Sequence, residues 1–186
     1  MAGRRADARR NYAHILAVAE KEVAAHGADA SLEQIARVAG VGSATVRRHF
    51  PGRRALLEAV FSEETEVLCA DARELVGHSD PRAALLEWLD ALAAYVAASR
   101  GLATLLLPDG IAEHEDDGTC SPRLHAAAEP LVRRAAQAGA VAPGTTAADL
   151  VTLIVGIVLA TEQHPAPATE AARLLALAVQ GISPGK

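Results

Sequence analysis

Aromatic side chains are scarce: Phe, Trp and Tyr make up 3% of the 186 residues, with a single tryptophan. A core must then be filled by alanine, leucine and valine, in a chain that is 51% apolar. Alanine and leucine favour helix and alternating β-branched runs are few, which points away from a sheet-based fold. Cysteine is nearly absent as well. Cys69 and Cys120 stand in no CxxC or other metal-binding spacing, so two reduced intracellular thiols are predicted. No long apolar run occurs: the longest, Leu150 to Ala160, has 11 residues, too few to cross a bilayer, and reads as a buried core helix. The arginines near the N-terminus precede no apolar h-region, so no signal peptide is predicted. A cytoplasmic protein without a membrane partner follows. No nucleophile elbow, Walker loop or HExxH appears, and the scattered serines and histidines form no constellation. No catalytic residue, cofactor or enzymatic activity is therefore predicted. Internal repeats and low-complexity tracts are absent too.

What is present is a charge asymmetry. The net charge is −5, which by itself argues against a partner rich in phosphate. Residues 1 to 61, however, hold 10 Lys and Arg against 6 Asp and Glu, whereas the remainder holds 8 against 17. A basic head on an acidic body suits a molecule that offers one face to nucleic acid and keeps the rest away.

The basic part contains the stretch around which the chain is organised, SLEQIARVAGVGSATVRRHF, from Ser31 to Phe50. Ser31 is a good N-cap, and Gln34 is placed to close a capping box against its backbone. Leu32, Ile35, Ala36 and Ala39 recur at helical spacing. Gly40 marks a sharp turn, since glycine reaches the left-handed backbone region without steric cost. Val41 can plug the angle that follows. A second helix opens at Ser43 with Val46 and Phe50 facing inward. That leaves Ser43, Ala44, Thr45, Arg47, Arg48 and His49 pointing mainly outward, and such an exposed, basic helix face is what a major groove accepts. The stretch reads as a helix-turn-helix whose second helix is the reader. GVGSAT, within it, is not a dinucleotide loop: its third glycine is missing and a helix precedes it.

The run IARVAGVGSATVRRHFPGRRALLEAVF resembles the DNA-binding domain of the TetR family of transcriptional repressors, which carries a pattern close to IAxxAGVxxGTLYxHFxxKxxLL. The likeness covers roughly residues 9 to 61. Ala44 stands where the family often has glycine, Val46 where leucine is usual, Arg47 where tyrosine is usual, and Val23 where phenylalanine is usual. The resemblance implies an all-α protein with a three-helix DNA-binding domain over residues 1–61 and a helical regulatory and dimerisation domain over residues 62–186. It implies a homodimer that binds a palindromic double-stranded DNA operator and is released by a small-molecule effector. It also places Arg53 where the family commonly has a phosphate-binding lysine. Thr45 and His49 would hold the DNA backbone, and Arg47 and Arg48 would reach bases or phosphates.

Along the rest of the chain, Arg4, Arg5, Arg9 and Arg10 precede and enter a first helix that runs to about His26. Arg4 and Arg5 read either as a solvated end or as an arm toward phosphates. Tyr12, Ile15, Leu16, Ala19 and Val23 share one face of this helix. A long helix is predicted from Arg53 or Arg54 through Val76. Asp80 caps another that starts at Pro81, with Trp88 and Tyr95 on one face. Residues 108 to 121 read as a polar loop. Its cluster of His114, Glu115, Asp116, Asp117 and Cys120, with His125 beyond, has no familiar metal-ligand spacing, so no metal site is predicted. A further helix runs from about Ser121 to Ala138, kinked or split at Pro130. Thr146 and Asp149 cap a helix apolar on all sides, one face of which can pack on its own core while the other needs a second molecule, and a similar helix spans about Pro167 to Gln180. These two suggest a four-helix interface across a two-fold axis, with Ile154, Val158, Leu174 and Leu177 as candidates. Trp88 and Tyr95 read either as core or, with Thr104 and His125, as the lining of a site for a small, largely apolar ligand. Two other classes stay open: a ligand-independent architectural DNA-binding protein, and an enzyme with an unrecognised site.

Overall fold

A computed structural model of the chain describes residues 2–99, 102–106 and 120–182. Among the described residues all regular structure is helical. The chain divides into two compact units, Met1–Ser62 with Ser99–Leu105, and Glu63–Ala98 with Leu106–Lys186.

The first unit holds α1 (Ala2–His26), a 3-10 turn (Gly27–Asp29), α2 (Leu32–Val38), α3 (Ser43–His49) and α4 (Arg53–Val60). Ile15, Ala19 and Val23, four residues apart, bury one stripe of α1. Tyr12 lies at the edge of that stripe and is 37% exposed. The helix begins earlier than expected, so Arg4 and Arg5 carry helical backbone rather than forming an extended arm. Their side chains lie outside what the structure describes. Gly27, at φ 60°, ends the helix.

The long helix expected from Arg53 to Val76 is broken. α4 stops at Val60, and Phe61 caps it at φ −95°, ψ 6°, its N–H donating to the Leu57 carbonyl at 2.9 Å. α5 (Ser62–Leu75) then starts afresh. A local cue exists: Ser62 is followed by Glu63 and Glu64, and acidic side chains in a first turn complement the positive helix end.

In the second unit α5 is joined by α6 (Pro81–Ala98), α8 (Cys120–Gln137), α9 (Ala147–Thr161) and α10 (Pro167–Ile182). The short α7 (Leu102–Leu106) precedes α8, and its residues 102–105 cluster with the first unit. The expected loop over residues 108 to 121 lies largely outside the described residues, and Cys120 and Ser121 already belong to α8. Asp80 caps α6 as expected, its Oδ1 accepting from the Arg82 and Ala83 N–H groups at 2.9 and 3.1 Å. Packing contacts link α6 to α8, α9 and α10, which makes it the central helix of the unit. It buries Ala84, Leu85, Trp88, Leu89, Leu92, Ala93 and Val96. Trp88 is fully enclosed, and its indole N–H donates to the Leu68 carbonyl of α5 at 3.1 Å. Pro130 neither kinks α8 into two elements nor ends it; it is exposed, where the missing N–H costs least.

Thr146 and Asp149 form a reciprocal capping box at the start of α9. Within the chain α9 buries one face. Leu150, Val151, Ile154, Val155 and Val158 are buried within the chain itself, whereas Thr152, Gly156 and Leu159 are exposed. Ile154 and Val158, expected at a dimer interface, are therefore already covered by their own chain, at 1% and 8% exposure. In α10, Leu174 is half-buried and Leu177 is 51% exposed.

Trp88→Phe removes the indole N–H and part of the volume at the centre of this unit. It should cost roughly 1–3 kcal/mol in urea unfolding followed by circular dichroism.

Candidate nucleic-acid interface

The turn between α2 and α3 is specified residue by residue. Ser31 has an extended backbone (φ −95°, ψ 124°), and its hydroxyl accepts from the Gln34 N–H at 3.3 Å. The reciprocal half of the expected capping box is not formed. The Gln34 side-chain oxygen instead accepts from Arg37 Nη2 at 2.6 Å and Nε at 3.2 Å. Gly40 sits at φ 67°, and the Val41 N–H reaches back to the Ala36 carbonyl at 3.0 Å, closing the end of α2. Val41 is half-buried in the angle. Gly42, in extended conformation, then opens α3 by accepting from the Thr45 N–H at 2.8 Å.

Val46 and Phe50 are buried at 0% and 1% exposure, and they set the rotation of α3. Ser43, Ala44, Arg47 and Arg48 are consequently exposed, while Thr45 and His49 are half-buried at the flanks. His49 is held by the Tyr12 ring of α1, edge-on at a centroid distance of 5.6 Å, and Tyr12 also meets Phe50 at 5.5 Å. Tyr12 thus braces the back of the reading helix instead of filling the α1 stripe. A second tie comes from His14, whose Nε2 lies 3.1 Å from the Ala39 carbonyl at the end of α2.

Two of the expected DNA-contacting arginines have carboxylate partners that the residue pattern did not reveal. Arg47 Nη2 donates to Glu33 Oε1 in the first turn of α2. Arg53, the first residue of α4, donates from Nη2 to Asp29 Oδ1 at 3.4 Å. Both pairs are exposed, so neither withdraws its arginine from solvent. An acidic residue in a first turn is already accounted for by the helix dipole, so the sequence has no local sign of these pairings. Among the described residues, Arg48 has no carboxylate within salt-bridge reach.

Of the candidate ligand contacts, the structure describes the side chains of Trp88, Tyr95 and His125. Trp88 is core, as described above. Tyr95 and His125 are half-buried in the second unit, with the His125 ring 3.4 Å from the Ser121 hydroxyl one turn away. Burial pulls the His125 pKa down, opposed by the negative charge of Glu129. Thr104 clusters with the first unit, and its side chain lies outside what the structure describes. Two hollows are described in the second unit. A cleft of about 470 Å³ is lined by Asp71, Glu74, Leu75, His78, Glu87, Trp88 and Ala91. An apolar cavity of about 20 Å³ lies among Leu85, Leu89, Val141, Leu150, Ile154 and Leu175. Neither is lined by Tyr95 or His125. Of the candidate ligand contacts, Trp88 alone lines one of these hollows, beside the carboxylates of Asp71, Glu74 and Glu87 and the apolar Leu75 and Ala91. Ala84, Ala93, Ala128 and Ala135 are themselves buried, and such small side chains let helices approach closely.

His114, Glu115, Asp116 and Asp117 lie outside the described residues. Among those described, no His, Cys, Asp and Glu group is arranged to hold a metal, and no helix is long and apolar enough to cross a membrane. Cys69 and Cys120 are buried and not in a disulfide, and burial raises the Cys69 pKa.

Two family models match the chain. One, described as bacterial regulatory proteins of the tetR family, matches residues 15–60. The other, the C-terminal domain of SbtR-like transcriptional regulators, matches residues 80–184. No curated protein matches the sequence. Among solved structures the chain is similar to a TetR transcriptional regulator of Streptomyces coelicolor, at 33% identity over 94% of this chain and 99% of that one, with a TM-score of 0.57. It is also similar to a TetR regulatory protein of Mycobacterium vanbaalenii, at 29% identity over 97% and 99%, with a TM-score of 0.50. A TetR-family regulator of Agrobacterium tumefaciens shares the fold at 18% identity over 95% and 100%, with a TM-score of 0.58.

Gly40→Ala isolates the backbone requirement of the turn, since a Cβ there meets nothing within 4 Å. The left-handed conformation alone should cost about 1–2 kcal/mol, read as a lowered unfolding midpoint, with no rearrangement of side chains.

Proposed function

The chain belongs to the TetR family of transcriptional regulators, and on that footing we propose that it is a homodimeric repressor acting in the cytoplasm. It binds a palindromic operator through residues 1–61 and releases it when a small molecule binds within residues 62–186. The observation that carries this reading is the outer face of α3, where Ser43, Ala44, Arg47 and Arg48 are exposed together by the burial of Val46 and Phe50. Arg47 and Arg48 present forked N–H donors that match guanine O6 and N7. Thr45 and His49, at the flanks, suit the DNA backbone. Arg53 suits a phosphate, because it adds its charge to the free N–H groups at the start of α4. In a dimer, each of the two α3 helices would occupy a major groove, with half-sites about 34–36 Å or a whole number of turns apart.

For assembly the reading rests on the outward faces of α9 and α10. Leu159 and Leu177 are large apolar side chains at 38% and 51% exposure. Leu174, one turn before Leu177 on α10, is half-buried, and Gly156 on α9 allows close approach of a second helix. Two copies of this helix pair can form a four-helix interface across a two-fold axis. For the effector, Tyr95 and His125 are the candidate contacts that keep partial exposure, whereas Trp88 is structural. Release then requires that the ligand prefer the conformation that binds DNA poorly.

Selection from random duplex DNA should return a palindrome with a guanine in each half-site. Arg47→Ala or Arg48→Ala should relax that position by roughly 1–3 kcal/mol, while Arg53→Ala weakens all sequences about equally and lowers the salt slope by about one. Unchanged preferences in both of the first two variants would exclude base reading by α3.

Leu159→Glu and Leu177→Glu place a charge where its own copy or a desolvated neighbour would face it. Each should shift sedimentation toward monomer and abolish tight binding to the palindrome. A wild-type protein that sediments as a monomer at micromolar concentration would rule the assembly out.

A further inference from the structure

The Glu33–Arg47 pair is odd for a surface offered to DNA. A carboxylate beside the reading helix repels phosphate and should weaken binding to every sequence. Yet Glu33 is held in place from several sides. Its Oε1 accepts from Arg47 Nη2, and its Oε2 accepts from the Ser31 hydroxyl at 3.3 Å. Its own backbone N–H, then the Arg47 guanidinium, keep its carboxyl below the usual range, so it is ionised at neutral pH. Ser31 is itself fixed as the N-cap of α2, through the Gln34 N–H. A chain of contacts therefore runs from the start of α2 to the guanidinium on α3.

The geometry of arginine lets this pair and a base be served together. Nη2 carries a pair of hydrogens, one shared with the edge formed with Nε and one with the edge formed with Nη1. A single bond to Glu33 occupies one hydrogen and leaves the other edge free for a bidentate acceptor such as guanine O6 and N7. An unheld arginine has a long, flexible stem and can reach a neighbouring base or phosphate instead. Holding one edge narrows that choice.

We infer that Glu33 is a specificity-determining positioning residue, which steers Arg47 onto one base while lowering affinity for DNA in general. This rests on the reading of α3 as the base-contacting helix. It makes Glu33, on the supporting helix, part of the recognition apparatus without touching DNA.

The test is a double-mutant cycle on the full-length protein, using selection from random duplex DNA and titration of the selected site and single-base variants. Glu33→Gln keeps the shape and removes the charge, and its exposed position leaves folding intact, which circular dichroism verifies. The expected result is tighter binding to random DNA with discrimination at the Arg47-dependent base reduced about two- to fivefold, the scale of an exposed ion pair. In an Arg47→Ala background, Glu33→Gln should leave base preference untouched. Glu33→Asp, whose shorter stem falls back from Arg47, should behave like Glu33→Gln in discrimination but without the gain in affinity for random DNA. If Glu33→Gln raises affinity for all sequences by one factor, the carboxylate is only a repulsive charge and the inference fails. If it sharpens the preference, Glu33 competes with DNA for Arg47 and the inference fails as well. Arg47→Ala with no effect on any base would overturn both this inference and the base-reading role of Arg47. A clear Arg47 effect with a silent Glu33 overturns the inference alone.

Discussion

The burial of Val46 and Phe50 is the constraint on which the DNA-binding reading depends. A seven-residue helix such as α3 has too few internal hydrogen bonds to be stable alone. It exists because its inner side chains are enclosed, and the same enclosure decides which side chains remain outside. Tyr12 adds a second restraint by bracing His49 and Phe50 from α1. The exposed arginines are thus carried by a rigid element, and their direction is a by-product of core packing. This links the most apolar part of the unit to its most polar task.

The second unit is built on a different economy of space. It has one large aromatic at its centre and fills most of the remaining core with alanine and branched aliphatics. Small side chains let helices approach closely, and the apolar cavity that remains is near the size of one water. The larger hollow lies on the α5 and α6 side and is walled by carboxylates. Its wall sets those carboxylates and His78 beside the apolar Leu75, Trp88 and Ala91.

Features with a local cause were legible from the residues. Ser31, Gly40, Asp80 and the Thr146–Asp149 box each act on a backbone group within a few positions, so their sequence context carried the information. The reading face of α3 was legible for a similar reason, because helical periodicity separates Val46 and Phe50 from Arg47 and Arg48. What was not legible depended on partners distant in sequence. Glu33 and Asp29 look like ordinary first-turn or turn acids until the fold brings Arg47 and Arg53 to them. α9 is apolar around most of its circumference, so its period could not tell the covered side from the exposed one. The fold covers Ile154 and Val158 within the chain and leaves Leu159 exposed. At Phe61 the apolar spacing continues across the break and outweighs the cue of Ser62, Glu63 and Glu64.

The enclosure of Trp88 also gives the molecule an optical asymmetry. It is the only tryptophan, and it belongs wholly to the second unit. The first unit has Tyr12 alone as a fluorophore of any strength, and that ring lies against His49. Emission excited at wavelengths absorbed by tryptophan alone therefore follows the surroundings of α5 and α6 and is blind to fraying of α2 and α3. A denaturation curve recorded that way reports on the second unit, and agreement with a far-ultraviolet signal becomes a measure of how tightly the two units unfold together.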